Sequence, residues 1–303
     1  MPWLPIAITA QFILGSSAVF DKLLLRQRFF NPWAYTFWLG ILGVFAFALL
    51  PFNYSHPPSP LVLRALGAGA IFIIALLLLF MALKMSEASQ ILPLVGGLSP
   101  LATFAASALI LNEAVSRGDL IGFLMLVAGG LLILLSGWGD FSYRSLVLAA
   151  ASTLLFGLAN VLTKTIFDAT TFATGFFWIK IGGVLAVLCF LAVPAVRRSI
   201  LNPGGSSGHP FRSLANLAYL GNRGYAAVGS VLVYVAIFLA HPALVDATQG
   251  LRYIVIFAFS WALLGERAAG ALLGAKLTAT ALIVIGLVWL GTYSYLLPSL
   301  TSY

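Results

Sequence analysis

The sequence contains very little charge for its length. Only 8% of the 303 residues are charged and 61% are hydrophobic, whereas about 25% of the residues of a soluble domain are charged. A soluble fold could not keep this much apolar surface from water, so the chain is expected to lie in a lipid bilayer. Its apolar runs continue for about twenty residues, which predicts transmembrane helices and excludes the alternating strands of a membrane barrel.

Residues that build catalytic and metal sites are also scarce. Cys189 is the single cysteine, which excludes a disulfide framework and a thiolate metal site. His56, His209 and His241 are too scattered to bind a metal together. The sequence has neither a phosphate-binding Gly-x4-Gly-Lys loop nor a Gly-x-Ser-x-Gly elbow. We therefore expect no metal, no cofactor and no enzymatic activity.

Apolar runs of about 18 residues or more predict ten transmembrane helices. Their approximate limits are 3–25, 32–52, 61–83, 88–111, 116–138, 144–167, 172–194, 214–240, 242–264 and 270–297. The connections between them are short, apart from the one between the seventh and eighth spans. The predicted fold class is therefore an all-α membrane protein with ten transmembrane helices.

The basic residues lie mainly between these runs. A net charge of +8 would suggest nucleic acid as the partner of a soluble protein, but Lys and Arg beside membrane spans are orientation signals. No nucleic acid is therefore expected as a partner. Ten basic residues lie in or beside the odd-numbered connections and three in the even-numbered ones. The positive-inside rule thus places both termini outside the cytoplasm.

The two halves of the chain repeat several landmarks in the same order. Gly15-x6-Lys22 in the first span recurs as Gly157-x6-Lys164 in the sixth. The other repeated landmarks are Phe37-Trp38 with Phe177-Trp178, and Asn112-Glu113 before Gly118-x3-Gly122 with Gly265-Glu266 before Gly270-x3-Gly274. This pattern predicts two five-helix repeats, residues 1–139 and 140–303. Because five is odd, the repeats must be inverted relative to each other, which places a substrate site near the membrane midplane.

The first half carries the residues of a known repeat. Met81 to Ser89, Leu98-Ser99-Pro100-Leu101, Asn112-Glu113 and Gly118-x3-Gly122 resemble the repeat of the EamA-like transporters of the drug/metabolite transporter superfamily. The second half resembles it more loosely, through Val235 to Ala243 and Leu263 to Arg267. The resemblance implies a ten-helix carrier of small metabolites, with both termini more often drawn in the cytoplasm. The chain departs from the family's cation exporters because Asp21 lies near the end of the first span.

Charged residues inside predicted spans are the first candidates for a substrate site. A charge in the bilayer costs about 2.5 kcal/mol or more, so it usually faces a cavity or a partner. We expect substrate-binding roles for Lys22, Lys164, Lys180, Arg223 and Arg252. The alternative for Lys22 and Lys164 is that they extend to the lipid headgroups. Asp246 is expected to balance the charge of Arg252 or Arg223.

Polar and aromatic neighbours of these charges complete the predicted site. Asn160 lies four residues before Lys164, and Gln249 lies between Asp246 and Arg252 on a slanting polar stripe. Hydrogen bonding between helices is the alternative role for the asparagine. Trp38, Trp178 and Tyr253 are also expected to bind substrate, because each is placed deep in a span beside repeated or polar positions. Core packing is the alternative for each aromatic residue.

An excess of cations in the interior favours an anionic or zwitterionic solute. We therefore predict a secondary transporter for a small metabolite (an amino acid, an organic acid or a phosphorylated metabolite), working by alternating access in the inner (plasma) membrane. The expected partners are the solute and the lipid bilayer, with the coupling ion and the oligomeric state left open. The alternatives are a lipid flippase and a membrane-embedded enzyme of lipid or cell-wall metabolism.

Overall fold

The computed structural model describes residues 2–24, 31–86, 88–111, 116–136, 142–201, 214–264 and 271–296. Within these ranges, the structure does not describe the side chains of some residues, including Lys22. The regular structure of the described residues is helical. Its helices are α1 (Trp3–Leu24), α2 (Pro32–Ile41), the 3-10 helix η1 (Leu42–Leu49), α3 (Ser59–Met85), α4 (Ala88–Ile110), α5 (Arg117–Ser136), α6 (Tyr143–Ala169), α7 (Phe172–Phe190), α8 (Pro194–Leu201), α9 (Leu214–Leu239), α10 (Pro242–Ala247), α11 (Gln249–Leu264) and α12 (Ala271–Leu296).

Among the described residues, six segments are long and apolar enough to cross a membrane. They are Trp3–Phe20, Pro32–Leu49, Ser59–Met85, Tyr143–Ala169, Phe172–Phe190 and Gly221–Leu239. Two shorter apolar segments, Leu94–Ile110 and Leu277–Thr292, lie in α4 and α12. These segments make the chain a multi-pass, all-helical membrane protein, while the count of ten spans stays a prediction.

Helix ends coincide with capping residues of the expected types. Asn31 caps α2 by accepting hydrogen bonds from the amides of Trp33 and Ala34, and Pro32 follows at the first helical position. Ser142 caps α6, and Thr171 caps α7, each through its hydroxyl oxygen. Capping matters in a membrane because the free amides at a helix start have no water to bind if they are buried.

The helices form two groups of closely packed neighbours. One group places α3 against α6 and α7, and the other places α1 against α9 and α11; α4 packs on α6, and α5 packs on α12. Gly69 of α3 faces the backbone of α7, where a Cβ would collide with the carbonyl oxygen of Ile179. Gly157 of α6 likewise lies against the backbone of α4 at Ala102 and Thr103. Small residues thus let these helices approach closely, as is common in membrane bundles.

Candidate functional site

The predicted ninth span is interrupted in the structure. It consists of the short helix α10 and the longer helix α11, with Thr248 between them. The Thr248 hydroxyl donates to the carbonyl oxygen of Val245 at 2.7 Å, and its amide donates to the same carbonyl at 3.2 Å. A side chain that binds the preceding turn competes with regular helical bonding. The interruption places polar residues on both sides of a helix break inside the bundle.

Asp246, in the last turn of α10, is 2% exposed and is surrounded by hydrogen-bond donors. Ser99 and Thr103 of α4 donate to Oδ2, the former at 3.3 Å. The amide nitrogen of Asn160 lies 3.0 Å from both carboxylate oxygens, and that of Gln249 lies 3.0 Å from Oδ1. These five residues are termed the Asp246 cluster. They join α4, α6, α10 and α11 at one buried carboxylate.

The expected charge balance of Asp246 does not take the form of a direct ion pair. Among the described residues, the ion pair within 4.0 Å joins Lys164 to Asp168, and Asp246 has only neutral partners. Amide and hydroxyl donors from α4, α6 and α11 occupy the positions around the carboxylate that an Arg would need. Compensation by Arg252 or Arg223 would therefore act at longer range, and it stays a prediction.

Arg252 is held on the α1 side of the helix break. Its Nε and Nη2 donate to Oε1 of Gln11 at 3.1 and 2.9 Å. The Gln11 amide nitrogen in turn donates to the hydroxyl of Thr248 at 3.3 Å. The neighbouring Tyr253 donates its phenol proton to the carbonyl oxygen of Leu92 at 2.6 Å. Both residues thus make bonds between helices in the structure, and substrate contact by either stays a prediction.

Lys180 lies near the middle of α7 within a ring of aromatic side chains. Its Nζ is 4.2 Å from the ring centroid of Tyr234, 5.1 Å from that of Phe176 and 5.6 Å from that of Phe72. These residues are termed the Lys180 cage, and they come from α3, α7 and α9. Its ammonium has no hydrogen bond or salt bridge to any other described residue, as the described ion pair is that of Lys164. The Lys180 ammonium is therefore a partly buried cation that has no anionic partner in the described part of the chain.

Helix α6 connects the Lys180 cage to the Asp246 cluster. Phe156 packs edge-on against Phe72, with ring centroids 5.4 Å apart. Asn160, which binds Asp246, is four residues further along and therefore lies on the same face, about 6 Å away along the axis. Phe72 and Phe156 are the central residues of α3 and α6. The cage and the cluster are thus neighbours at the middle of the long helices.

Two of the remaining predicted cations have partners outside the cage and the cluster. Lys164 pairs with Asp168 at 2.8 Å and donates to the carbonyl oxygen of Phe238 at 3.4 Å. Arg223 of α9 donates from Nη1 to the phenol oxygen of Tyr35 in α2 at 2.8 Å. Lys22 belongs to α1, but its side chain lies outside the description.

The two predicted tryptophans also differ in their surroundings. Trp38 is 60% exposed and packs edge-on against Phe37, so it is not enclosed in the way expected of a residue deep in a span. Trp178 is partly buried, and its indole nitrogen has no hydrogen-bond partner among the described residues. Neither residue belongs to the cage or the cluster. Substrate contact by either stays a prediction.

Several residues of the central site were missed by the sequence patterns. They are Gln11, Ser99, Thr103, Phe72, Phe176 and Tyr234. Ser99 and Thr103 are spaced four apart, which puts both hydroxyls on one face of a helix. Gln11 is a polar residue within the first apolar run. The spacing of Ser99 and Thr103 and the polarity of Gln11 could therefore have been recognised in the sequence. The aromatic residues of the cage could not be distinguished from residues of the hydrophobic core.

The helical architecture, with buried polar clusters between apolar helices, is that of a multi-pass membrane protein. Residues 1–135 match the family model described as the EamA-like transporter family. This match confirms the predicted resemblance for the first half of the chain.

A solved structure described only as "Crystal structure of protein" has the same fold. It is 21% identical to this chain, covers 98% of it over 99% of its own length, and superposes with a TM-score of 0.66. No curated protein matches the sequence. At this identity the structural likeness concerns the fold alone.

Proposed function

We propose that the protein is a secondary transporter that moves a small anionic or zwitterionic metabolite by alternating access, with Lys180 as the cation that binds the solute's negative group. The single observation that carries this proposal is the Lys180 cage. The family match supports membrane transport in general. The positive charge of Lys180 in the cage supports an anionic or zwitterionic solute.

The electrostatic argument rests on the surroundings of the Lys180 ammonium. Each aromatic ring near a cation contributes about 0.5 to 2 kcal/mol, and this contribution replaces only part of the lost hydration. The rings carry no net charge, so the positive charge of the cage remains uncompensated by the described residues. A solute carboxylate or phosphate would supply the missing charge. A cationic solute would be repelled.

The proposed mechanism requires the ten spans and the inverted repeats, residues 1–139 and 140–303. Helix packing supports this arrangement. The contact of α3 with α6 corresponds to that of α9 with α1, and the contact of α4 with α6 corresponds to that of α11 with α1. Each pair maps onto the other when the halves are exchanged, and α5 packs on its own counterpart α12. The cage and the Asp246 cluster both take residues from each half, as expected of a site between repeats.

The test is a binding panel followed by uptake into proteoliposomes. Carboxylates, amino acids and phosphorylated metabolites are screened for a thermal shift of the purified protein, and stabilising compounds are then tested for transport. Lys180→Met is expected to abolish both the shift and the uptake, whereas Lys180→Arg retains part of each. Lys84→Met is the matched control, because Lys84 is exposed at the end of α3.

The outcome also separates the alternative functions. Translocation of a fluorescent phospholipid without uptake of any soluble anion would indicate a lipid flippase. Chemical conversion of a bound lipid would indicate a membrane-embedded enzyme. Full uptake by Lys180→Met would show that the cage does not bind the solute.

A further inference from the structure

We propose that Asp246 is a proton-binding site, so that a proton is the coupling ion of the transport cycle; the coupling role rests on the proposed function. The site consists of the Asp246 cluster together with a row of hydroxyls on α4. Its ligand is a proton that moves between the carboxylate and water at the end of α4.

The first observation is that the cluster can satisfy both protonation states of Asp246. In the ionised state the carboxylate only accepts, and Ser99, Thr103, Asn160 and Gln249 all donate to it. A protonated carboxyl needs one acceptor instead. Ser and Thr hydroxyls can donate or accept after rotation about one bond, whereas an Arg or Lys partner could only donate. Neutral hydroxyl partners therefore suit a carboxyl that gains and loses a proton.

The second observation concerns a route for the proton. Ser99, Thr103 and Ser107 follow each other at steps of four residues, so their hydroxyls share one face of α4. Ser107 is 1% exposed, and its hydroxyl has no hydrogen-bond partner among the described residues. Buried hydroxyls normally have a partner, and water serves where the protein does not. The row thus leads from Asp246 to the last turn of α4, which ends at Ile110.

The described charged groups on the neighbouring helices do not bind Asp246 directly, so they are compatible with this assignment. Helix α10 packs on α4, α5, α6, α9 and α11. The described titratable or charged residues of these helices are Arg117 and Asp119 of α5, Tyr143, Arg144, Lys164 and Asp168 of α6, Arg223, Tyr225 and Tyr234 of α9, and Arg252 and Tyr253 of α11. None of them hydrogen-bonds to Asp246 or lies within ion-pair distance of it. Protonation of Asp246 therefore breaks no direct ion pair among the described residues.

The position of the cluster gives protonation a mechanical consequence. Ser99 and Thr103 belong to residues 1–139, whereas Asn160, Asp246 and Gln249 belong to residues 140–303. Hydrogen bonds to an ionised group are roughly twice as strong as those between neutral groups. Protonation of Asp246 would weaken the bonds from α4 to α10, and deprotonation would restore them. The proton would thus bias the packing of one half against the other.

Infrared difference spectroscopy tests the site without a known solute. The protein is reconstituted in lipid, in sodium-free choline buffer, and titrated between about pH 9 and about pH 5, where an ordinary carboxyl is still ionised. We expect the C=O stretching band of a protonated carboxyl to appear on acidification and to shift in heavy water. The band should be absent from Asp246→Asn and present in Asp168→Asn, since Asp168 is an exposed partner of Lys164.

A second pair of variants keeps the test decisive if Asp246→Asn does not fold. Thr103→Val removes a donor to the carboxylate and should move the midpoint of the band to higher pH, whereas Thr103→Ser should leave it near the wild-type value. A wild-type spectrum with no pH-dependent band from Asp246 would overturn the proposal. The proposal would also be overturned if sodium chloride, added at fixed pH, changed the band as much as a rise in pH does. The site would then bind a metal cation. A normal band without any solute transport would instead refute the proposed function alone.

Discussion

Replacement of Gln11 by Leu is expected to destabilise the protein through Arg252. Gln11 is 1% exposed, and its carbonyl oxygen accepts two hydrogen bonds from the guanidinium of Arg252. Leu has a similar size but no acceptor. The substitution therefore leaves a charged group in the bundle without the partner that the structure gives it.

The magnitude follows from the bonds that are lost. A hydrogen bond to a charged group contributes about 1.5 to 3 kcal/mol, and a buried donor left without its acceptor costs about 1 to 3 kcal/mol, or more if it is charged. Arg252 is partly rather than fully buried, so we use the middle of this range. We expect Gln11→Leu to lower the free energy of unfolding by about 2 to 4 kcal/mol. The lost bond from Gln11 to Thr248 adds a smaller contribution.

The assay is unfolding of the purified protein in detergent, for Gln11→Leu, Arg252→Leu and the double variant. The double variant should be more stable than the sum of the single losses predicts, because it has no stranded cation. Gln11→Glu is the matched control: it keeps an acceptor for Arg252 and should retain most of the stability. Thr9→Val controls for substitution in α1, since the Thr9 hydroxyl bonds only to the preceding turn. Additive losses, or equal losses for Leu and Glu, would refute the reasoning.

Three further predictions concern charge and orientation. Lys22→Met and Lys164→Met should each abolish solute uptake by folded protein; normal uptake in both would assign these lysines to the headgroup region or, for Lys164, to its pairing with Asp168. Asp246→Asn should lower the unfolding temperature, and a second change of Arg252 or Arg223 to a neutral residue should partly restore it; lack of coupling in both double variants would exclude charge balance at long range. A cysteine at Ser206, which lies outside the described residues, with Cys189 replaced, should resist an impermeant thiol reagent in intact cells and react after lysis. Ready labelling of intact cells would place both termini in the cytoplasm.

The limits of the long helices were predictable because their apolar runs are uninterrupted. The predicted spans 144–167 and 172–194 correspond to Tyr143–Ala169 and Phe172–Phe190. The break at Thr248 was not predicted, because a single Thr in an apolar run is compatible with a helix, and its bond to Val245 depends on the local backbone. The short helix Pro194–Leu201 was also missed, since it is too short to appear as a span.

The chemistry of the site was predictable where the residue type is unusual for a membrane. Asn160, Lys180, Asp246 and Gln249 stand out because polar groups are costly in a bilayer. Their partners do not stand out: Ser99 and Thr103 are common in helices, and Tyr234 looks like a packing residue. The sequence patterns therefore identify the groups that need partners. Tertiary packing decides which residues become those partners.

The contact of α3 with α7 and its counterpart in the proposed repeat differ in kind. If each helix is replaced by its counterpart in the other repeat, the contact of α3 with α7 becomes a contact of α9 with α2. The first is a close approach of backbones at Gly69 and Gly182. The second is made by long side chains, through the hydrogen bond from Arg223 to Tyr35. If the halves alternate between two arrangements, the described structure represents one of them. In this arrangement the backbones of α3 and α7 are in close contact, whereas α9 and α2 are joined through long side chains. The opposite arrangement would require the Arg223 to Tyr35 bond to rearrange as α9 approaches α2.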